Sequence, residues 1–491
     1  MKILLVNPPG ENIVPSYPNE NDEYGMLEAD DYGAFPPLGI LYVASYLAKH
    51  TTGHQIFVKD CIAEGISHVE LENLIREIQP DVVGVTSFTI SMVDACLVAQ
   101  AAKRVNSKIH ACLGGHHPIA FPREAAEIPE FDSIVVGEGE QCFTELVRCL
   151  EQNKTFTHIL GVYTKESMQE WRDKQLKGDK RFLNTVTVPP AYIDDLNILP
   201  FPDRRYLKDV KYHSILGLSK NMMTVLSTRG CPYLCTFCDV PYKRYRTRTQ
   251  ENVIDEIEVL LDLGYDEFHF YDDLFNVTPT KVIEFCNEVE RRKLKITWDF
   301  RGRANSCTYE SLSRAKKAGC RMISFGVETG SNEGLKILKK GTTVEKIEQV
   351  FQWCRELGII SVADFIIGFP FEKTREDVKK HINWCVNLDP DYAQFNILML
   401  LPNTPIFEEG IRKGLVDPNK WQEFAKRPAK GFRIDHWTEH LSLKELKELQ
   451  TWAYRKFYFR PKYIKRSLVQ TKTLYQFKTK AVSALKLIVG Q

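Results

Sequence analysis

Along the first 155 residues, short apolar runs alternate with segments whose apolar positions recur every three to four residues. The runs KILLVN (2–7), HQIFVKD (54–60), DVVGVTSF (81–88), KIHACLGG (108–115) and FDSIVVGE (131–138) have the length and β-branched content of strands. Between them PLGILYVASYLAKH, SHVELENLIREIQ, MVDACLVAQAAKRVN and the weaker FPREAAEI carry a helical period, and GEQCFTELVRCLEQ closes the series. Strands apolar enough for burial on both faces, alternating with helices, predict a doubly wound parallel α/β sheet. Ligands of such sheets bind outside the carboxyl ends of the strands. Those ends carry Asn7-Pro8-Pro9, Asp60, Thr86-Ser87, Gly114-Gly115-His116-His117 and Gly137-Glu138-Gly139.

Residues 156–221 lack a strong period and contain Leu199-Pro200-Phe201-Pro202, which reads as an interdomain connector. From 222 the alternation returns. MMTVLS, DEFHFYDD, ITWDFRGR, RMISFGVET, VADFIIGF and AQFNILML read as strands, separated by helical patterns such as ENVIDEIEVLLDLG, KVIEFCNEVERRKL and VEKIEQVFQWCRELG. Six β/α units are too few to close an eight-unit barrel, but chemistry should still sit at the strand carboxyl ends. The expected division is 1–155, connector 156–221, 222–400 and a mostly helical extension over 401–491. The stretch Pro8–Pro37, with Tyr17, Tyr24, Tyr32 and Phe35, is long for a loop in a compact domain. It reads either as a lid over the strand ends or as a disordered surface loop.

Composition narrows the class. With 65 Lys plus Arg against 64 Asp plus Glu in 491 residues, no global charge points to nucleic acid. The chain enters a strand pattern at its first residues, and no apolar run reaches membrane-spanning length. Thirteen cysteines, scattered through strands and helices, suit a reducing, cytoplasmic compartment better than a disulfide framework.

Three of those cysteines stand apart. Cys231, Cys235 and Cys238 lie in STRGCPYLCTFCDVPY, directly after MMTVLS. Three thiolates at this spacing can hold three irons of a cubane cluster and leave the fourth open to a small molecule. Core cysteines or a zinc site are the alternatives; structural zinc usually takes paired CxxC units, and no second CxxC follows. The CxxxCxxC spacing, with Phe237 before the last cysteine, resembles the signature of the radical S-adenosylmethionine (radical SAM) superfamily.

Preceded by a flavodoxin- or Rossmann-like sheet, this signature resembles the cobalamin-dependent radical SAM enzymes, similar to class B methyltransferases and anaerobic tetrapyrrole cyclases. The resemblance implies an amino-terminal cobalamin-binding domain, a partial (β/α)6 barrel of TIM type carrying a 4Fe-4S cluster, and a carboxyl-terminal extension. It places Asp60, Ser87, Gly114, Gly115, His116, Gly137 and Glu138 along cobalamin. It places Asp272 and Asp273 near the ammonium of S-adenosylmethionine, Glu328 and Asp364 near its ribose, Lys340 near its carboxylate and Gly368-Phe369-Pro370 beside its adenine. Paired acids can instead cap a helix, and a helical lysine can be merely solvated. Arg301 and Arg303 leave the third barrel strand and can steer a carboxylate or phosphate or form ion pairs. In the Asp-x-His-x-x-Gly loop of well-known cobalamin domains a histidine ligates cobalt. Here the loop reads Asp60-Cys61-Ile62-Ala63-Glu64-Gly65, so no lower-face histidine is expected; His116 and His117 are candidate replacements, but histidines after a glycine pair more often hydrogen-bond a ligand or cap the next helix.

The function this resemblance implies is reductive cleavage of S-adenosylmethionine to a 5′-deoxyadenosyl radical and, with cobalamin, methylation of an unactivated carbon on a small-molecule or lipid-like substrate. A radical oxidative cyclase or ring-rearranging enzyme on a tetrapyrrole-like substrate is the alternative. A non-catalytic cobalamin or redox sensor is the alternative from another class. A methylthiotransferase would need a further cluster cysteine where Pro8-Pro9 stands. An electron donor such as flavodoxin or ferredoxin is implied. After Glu448 the chain has no acidic residue, and Arg455, Lys456, Arg460, Lys462, Lys465, Arg466, Lys472, Lys478, Lys480 and Lys486 accumulate among aromatics. That end suits either a helical cap or peripheral contact with an anionic membrane surface; RNA binding lacks an accompanying fold pattern.

Overall fold

The computed structural model describes residues 1–16, 33–178, 188–214, 216–218 and 221–470. The lid reading of Pro8–Pro37, with Tyr17, Tyr24 and Tyr32, lies largely outside the described residues, as do Lys472, Lys478, Lys480 and Lys486. The chain forms two compact units.

The first unit comprises Met1–Pro15, Phe35–Lys211 and Pro418–Arg433. Its sheet contains β1 (Lys2–Asn7), β2 (Gln55–Asp60), β3 (Val82–Ser87), β4 (His110–Gly115), β5 (Ser133–Val135) and β6 (Val162–Tyr163), in the order β2-β1-β3-β4-β5-β6. All five apolar runs form parallel strands, and the 2-1-3-4-5 order is that of flavodoxin-like sheets. The sixth strand departs from the all-parallel expectation: Val162–Tyr163 pairs antiparallel with β5. Two residues are too short to leave a period in the sequence. Leu4, Val6, Val83, Val85, Ala111 and Leu113 pack against Leu71, Ile75, Val98 and Ala102 of the flanking helices. Serine at the N-cap, Ser67, closes a capping box with Glu70 and starts the helix His68–Ile78.

The second unit comprises Ser16–Ala34, Tyr212–Asp417 and Ile434–Gln491. Its six-stranded sheet contains β7 (Met222–Val225), β8 (Glu267–Phe270), β9 (Thr297–Gly302), β10 (Cys320–Glu328), β11 (Ile360–Ile367) and β12 (Tyr392–Ile397). They are parallel and lie in chain order, the arrangement of a partial barrel. Period-two alternation sorts the side chains. Phe270, Trp298 and Phe300 form an aromatic layer with Phe275 and Phe285, ring centroids 4.7 Å apart for Phe270–Phe275 and 4.9 Å for Phe285–Trp298. The alternate positions, Glu267, His269 and Asp299, are polar and buried. There the His269 Nδ1 lies 2.8 Å from Asp299, and Arg321 donates to Glu267 at 3.2 Å.

An exposed strand edge needs covering. The helix Leu443–Tyr458 covers β12 with polar groups one turn apart: Gln450 donates to the Phe395 carbonyl, the Phe395 N–H donates to the Tyr454 hydroxyl, and the Ala393 N–H donates to Tyr458. Beyond it, Arg460, Lys462 and Arg466 converge on Asp389 at the carboxyl end of the helix Arg375–Leu388. No described helix is long and apolar enough to cross a membrane.

Candidate active site

The cysteine loop leaves β7 and is held by its backbone. The Cys231 N–H donates to the Tyr242 carbonyl at 3.0 Å, the Cys238 N–H to the Cys235 carbonyl at 3.3 Å, and the Thr236 N–H to Leu338 at 3.2 Å. None of the three thiols is bridged. Burial raises the Cys231 and Cys238 pKa values, opposed by the cations Arg303 and Lys243 respectively. Three unbridged thiols in one loop, next to two cations, fit a cluster with three protein ligands.

The two acids closing β8 have separate surroundings. Asp272 is buried and accepts the Ser227 N–H and hydroxyl and the Thr228 N–H, each at 2.7 Å, so it ties the base of the cysteine loop to β8. Asp273 is exposed beside that loop and accepts the Gly230 N–H at 3.2 Å. Neither caps the following helix, Pro279–Arg291, whose N-cap is Thr278. Lys281, on that helix, donates to Ser227 and to the Tyr245 hydroxyl at 2.9 Å; burial, opposed by Asp272, brings its pKa down to about 8.

At the ends of β10 and β11 the remaining predicted residues meet. Glu328 adopts a left-handed backbone, φ 64°, which a non-glycine residue rarely holds without compensation. Its carboxylate accepts Lys340 Nζ at 2.5 Å, and both side chains are buried. Gly326 makes the pair possible, because a Cβ there would lie 2.5 Å from the Glu328 oxygen. Lys340 therefore is not a solvated helical lysine; its ammonium stands 5.7 Å from the Phe237 ring centroid. Phe237 in turn meets Phe369 edge-on at 6.0 Å. Asp364 keeps an accessible edge, yet burial pushes its carboxyl up to about 6 against the opposing charge of Arg301. Arg301 is exposed and lies over the Tyr271 ring at 4.6 Å.

Sequence reasoning missed Glu372. Its carboxylate accepts the N–H groups of Gly368 (2.6 Å) and Phe369 (3.0 Å) and engages His381 Nδ1 at 2.5 Å, which shapes the Gly368-Phe369-Pro370 turn. The available clue was an acid three and four residues after that turn, a capping spacing.

In the first unit, Asp60 is buried and accepts Asn7 Nδ2 at 2.8 Å while capping the short helix Cys61–Glu64. Ile62 on that helix is 40 % exposed. Ser87 donates to the Gly114 carbonyl at 3.1 Å, and Gly115, φ 93°, passes so near β3 that a Cβ would lie 2.5 Å from the Ser87 carbonyl oxygen. His116 stacks on Phe88, which is 65 % exposed, at 5.9 Å. A glycine cradle flanked by exposed apolar and aromatic groups fits a broad, flat ligand. His117 is fully buried against Thr89, with its pKa driven down to about 3 by burial. Gly137 bridges to Ala191, and Glu138 accepts the Ile193 N–H at 2.7 Å. Asp94, unremarked in the sequence, is fully buried and accepts the Asn12 N–H and amide and lies 2.7 Å from His68 Nε2.

Known proteins were compared with this chain. Its residues 225–385 match the Radical SAM superfamily and residues 28–147 match the B12 binding domain. An uncharacterized methyltransferase of Pyrococcus horikoshii is 30% identical over 468 residues, covering 94% of this chain and 93% of the relative. The anaerobic magnesium-protoporphyrin IX monomethyl ester cyclase of Rubrivivax gelatinosus is 30% identical over 420 residues, covering 83% of this chain and 70% of that protein. Among solved structures, the radical S-adenosylmethionine methyltransferase TsrM from Kitasatospora setae, with cobalamin and a 4Fe-4S cluster bound, superposes with a TM-score of 0.71 at 18% identity, over 98% of this chain and 99% of that one.

Proposed function

The chain belongs to the cobalamin-dependent radical SAM enzymes, and from that premise we propose that it methylates an unactivated carbon of a small-molecule substrate. The match to a methyltransferase over nearly the whole of both chains carries this reading. The family's cofactors are a 4Fe-4S cluster, S-adenosylmethionine and cobalamin. When bound they supply the electron, the adenosyl radical and the methyl group.

The chain's own residues bind, orient and exclude water. Cys231, Cys235 and Cys238 hold the cluster. Asp273, exposed beside the cysteine loop, takes the ammonium of S-adenosylmethionine, while Asp272 keeps the loop in place. Glu328 and Asp364 accept the ribose hydroxyls; Lys340 sets the orientation of Glu328 and lends its charge to the methionine carboxylate. The Gly368-Phe369-Pro370 backbone, fixed by Glu372, borders the adenine. In the first unit Asp60, Ser87, Gly114, Gly115 and His116 would border cobalamin, and the aliphatic Ile62 would offer it no ligating atom. Gly137 and Glu138 support this border through the 191–193 segment.

An acidic one-electron carrier of the flavodoxin or ferredoxin kind would reduce the cluster, and unbridged cysteines throughout suit a reducing cytoplasm. For the basic tail, the ion pairs of Arg460, Lys462 and Arg466 with Asp389 support the capping role over membrane contact. The cyclase relative supports a second reading, an oxidative ring closure. The two separate on anaerobic, cluster- and cobalamin-loaded protein given S-adenosylmethionine labelled in its methyl group. Methylation releases S-adenosylhomocysteine together with 5′-deoxyadenosine; cyclase chemistry releases 5′-deoxyadenosine alone and overturns the proposal. Cys235→Ala should abolish 5′-deoxyadenosine while corrin binding persists.

A further inference from the structure

Arg303 is buried and sits among the cysteines. Its Nη1 donates to Cys235 Sγ at 3.3 Å, its guanidinium lies 3.7 Å from the Tyr233 ring centroid, and its Nε reaches Asn305 Oδ1 at 3.3 Å. The backbone is equally fixed. Asn276, fully buried, accepts the Arg303 N–H at 2.9 Å and donates to the Arg303 carbonyl at 3.0 Å. Asn305 also donates to the Tyr233 hydroxyl at 3.3 Å, so ring, amide and guanidinium form one assembly.

What this assembly lacks is an anion. Among the described residues no carboxylate pairs with Arg303, and its Nη2 is buried without a hydrogen-bond partner. A buried guanidinium without a counter-charge is costly. The three thiolates of a cluster supply the missing charge, and reduction of that cluster adds one more negative charge beside the same cation. A fixed cation, and an N–H donated to a ligating sulfur, both favour the more negative state.

We propose that Arg303 sets the reduction potential of the cluster, holding it higher than three cysteines in an apolar loop would, through its bond to Cys235 Sγ. This inference rests on the cluster assignment made above and adds a role that neither the cysteine spacing nor the family match assigns. The role is one of tuning: the electron enters the cluster, and Arg303 is neither oxidised nor reduced. Tyr233 positions the guanidinium by covering its face.

The test is a redox titration of anaerobically reconstituted full-length protein, followed by the electron paramagnetic resonance signal of the reduced cluster. Arg303→Met should shift the midpoint to a more negative potential, and Arg303→Lys should shift it less, because charge is kept while the directed bond is lost. Tyr233→Leu, which retains Arg303 but frees it, should shift the midpoint in the same direction and serves if Arg303→Met does not hold iron. An unchanged midpoint in any variant that carries a full cluster overturns the proposal. Wild-type protein that carries zinc, or shows no 4Fe-4S signal, overturns instead the cluster assignment beneath it.

Discussion

The carboxylate of Asp272 accepts both the N–H and the hydroxyl of Ser227 at 2.7 Å, a pair of bonds that joins the end of β8 to the start of the cysteine loop. Its sequence neighbour Asp273 is exposed beside the same loop. Two adjacent acids that look equivalent in FYDDLF thus divide into a buried brace and an exposed group beside the loop.

That division predicts opposite outcomes for paired substitutions. Asp272→Ala leaves three buried donors without their acceptor and should lower stability by about 1–3 kcal/mol or more, with loss of iron after reconstitution. Asp273→Asn should fold and load iron as the parent does, but bind S-adenosylmethionine several-fold more weakly. Iron content and isothermal calorimetry read the two effects separately.

The Glu328–Lys340 pair is buried on both sides, so removing one partner strands the other. Lys340→Met should destabilise the protein by roughly 3–5 kcal/mol, the range for an uncompensated buried charge. The double variant Lys340→Met with Glu328→Leu should recover much of that loss while S-adenosylmethionine binding stays impaired. Thermal unfolding of the single and double variants checks the first effect, and equilibrium binding the second.

These contrasts show what a single sequence carries. The period of the apolar positions was enough to place all eleven longer strands, because burial on one or both faces writes itself into the side chains. Val162–Tyr163 escaped, being too short for a period and held by pairing with β5. The cysteine loop and the polar strand ends were legible as chemistry. Their partners were less so: Arg303 lies 68 residues from Cys235, and Glu372, which acts through backbone N–H groups, leaves only a short capping spacing. The different fates of Asp272 and Asp273, and the use of Glu138 to hold Ile193, follow from which way each backbone turns at the strand end.

Asp364 makes binding depend on pH. Burial raises its carboxyl to about 6, with Arg301 opposing. Because the folded pKa exceeds the unfolded one, the folded state holds the proton more tightly; the stability this contributes is full below the ordinary carboxylate range and is lost as pH rises through about 6. For the ribose contact proposed for Asp364, the ionised carboxylate is the stronger acceptor of a hydroxyl. S-adenosylmethionine affinity should therefore fall by up to about tenfold per pH unit as pH drops well below 6. Asp364→Asn should flatten that profile, bind more weakly at pH 7.5, and leave the unliganded protein at least as stable as the parent there. Binding isotherms from pH 5 to 8, with thermal unfolding at each pH, provide the comparison.

The tail offers a test away from the chemistry. The Tyr458 hydroxyl accepts the Ala393 N–H at 3.1 Å and donates to the Ala393 carbonyl at 2.8 Å, so one side chain replaces the neighbour strand that β12 lacks. Tyr458→Phe keeps the ring packed but leaves both backbone groups of a buried residue without partners, at a cost of about 1–3 kcal/mol. If the helix Leu443–Tyr458 serves as the edge cover of the barrel, amide hydrogens of Tyr392–Ile397 should exchange faster in that variant while those of β7 and β8 stay protected. Equal protection in both proteins would mean that packing of Leu446, Leu449 and Phe457 alone closes the edge. Exchange mass spectrometry on peptides spanning β12 reads this directly, and it does so without any cofactor bound.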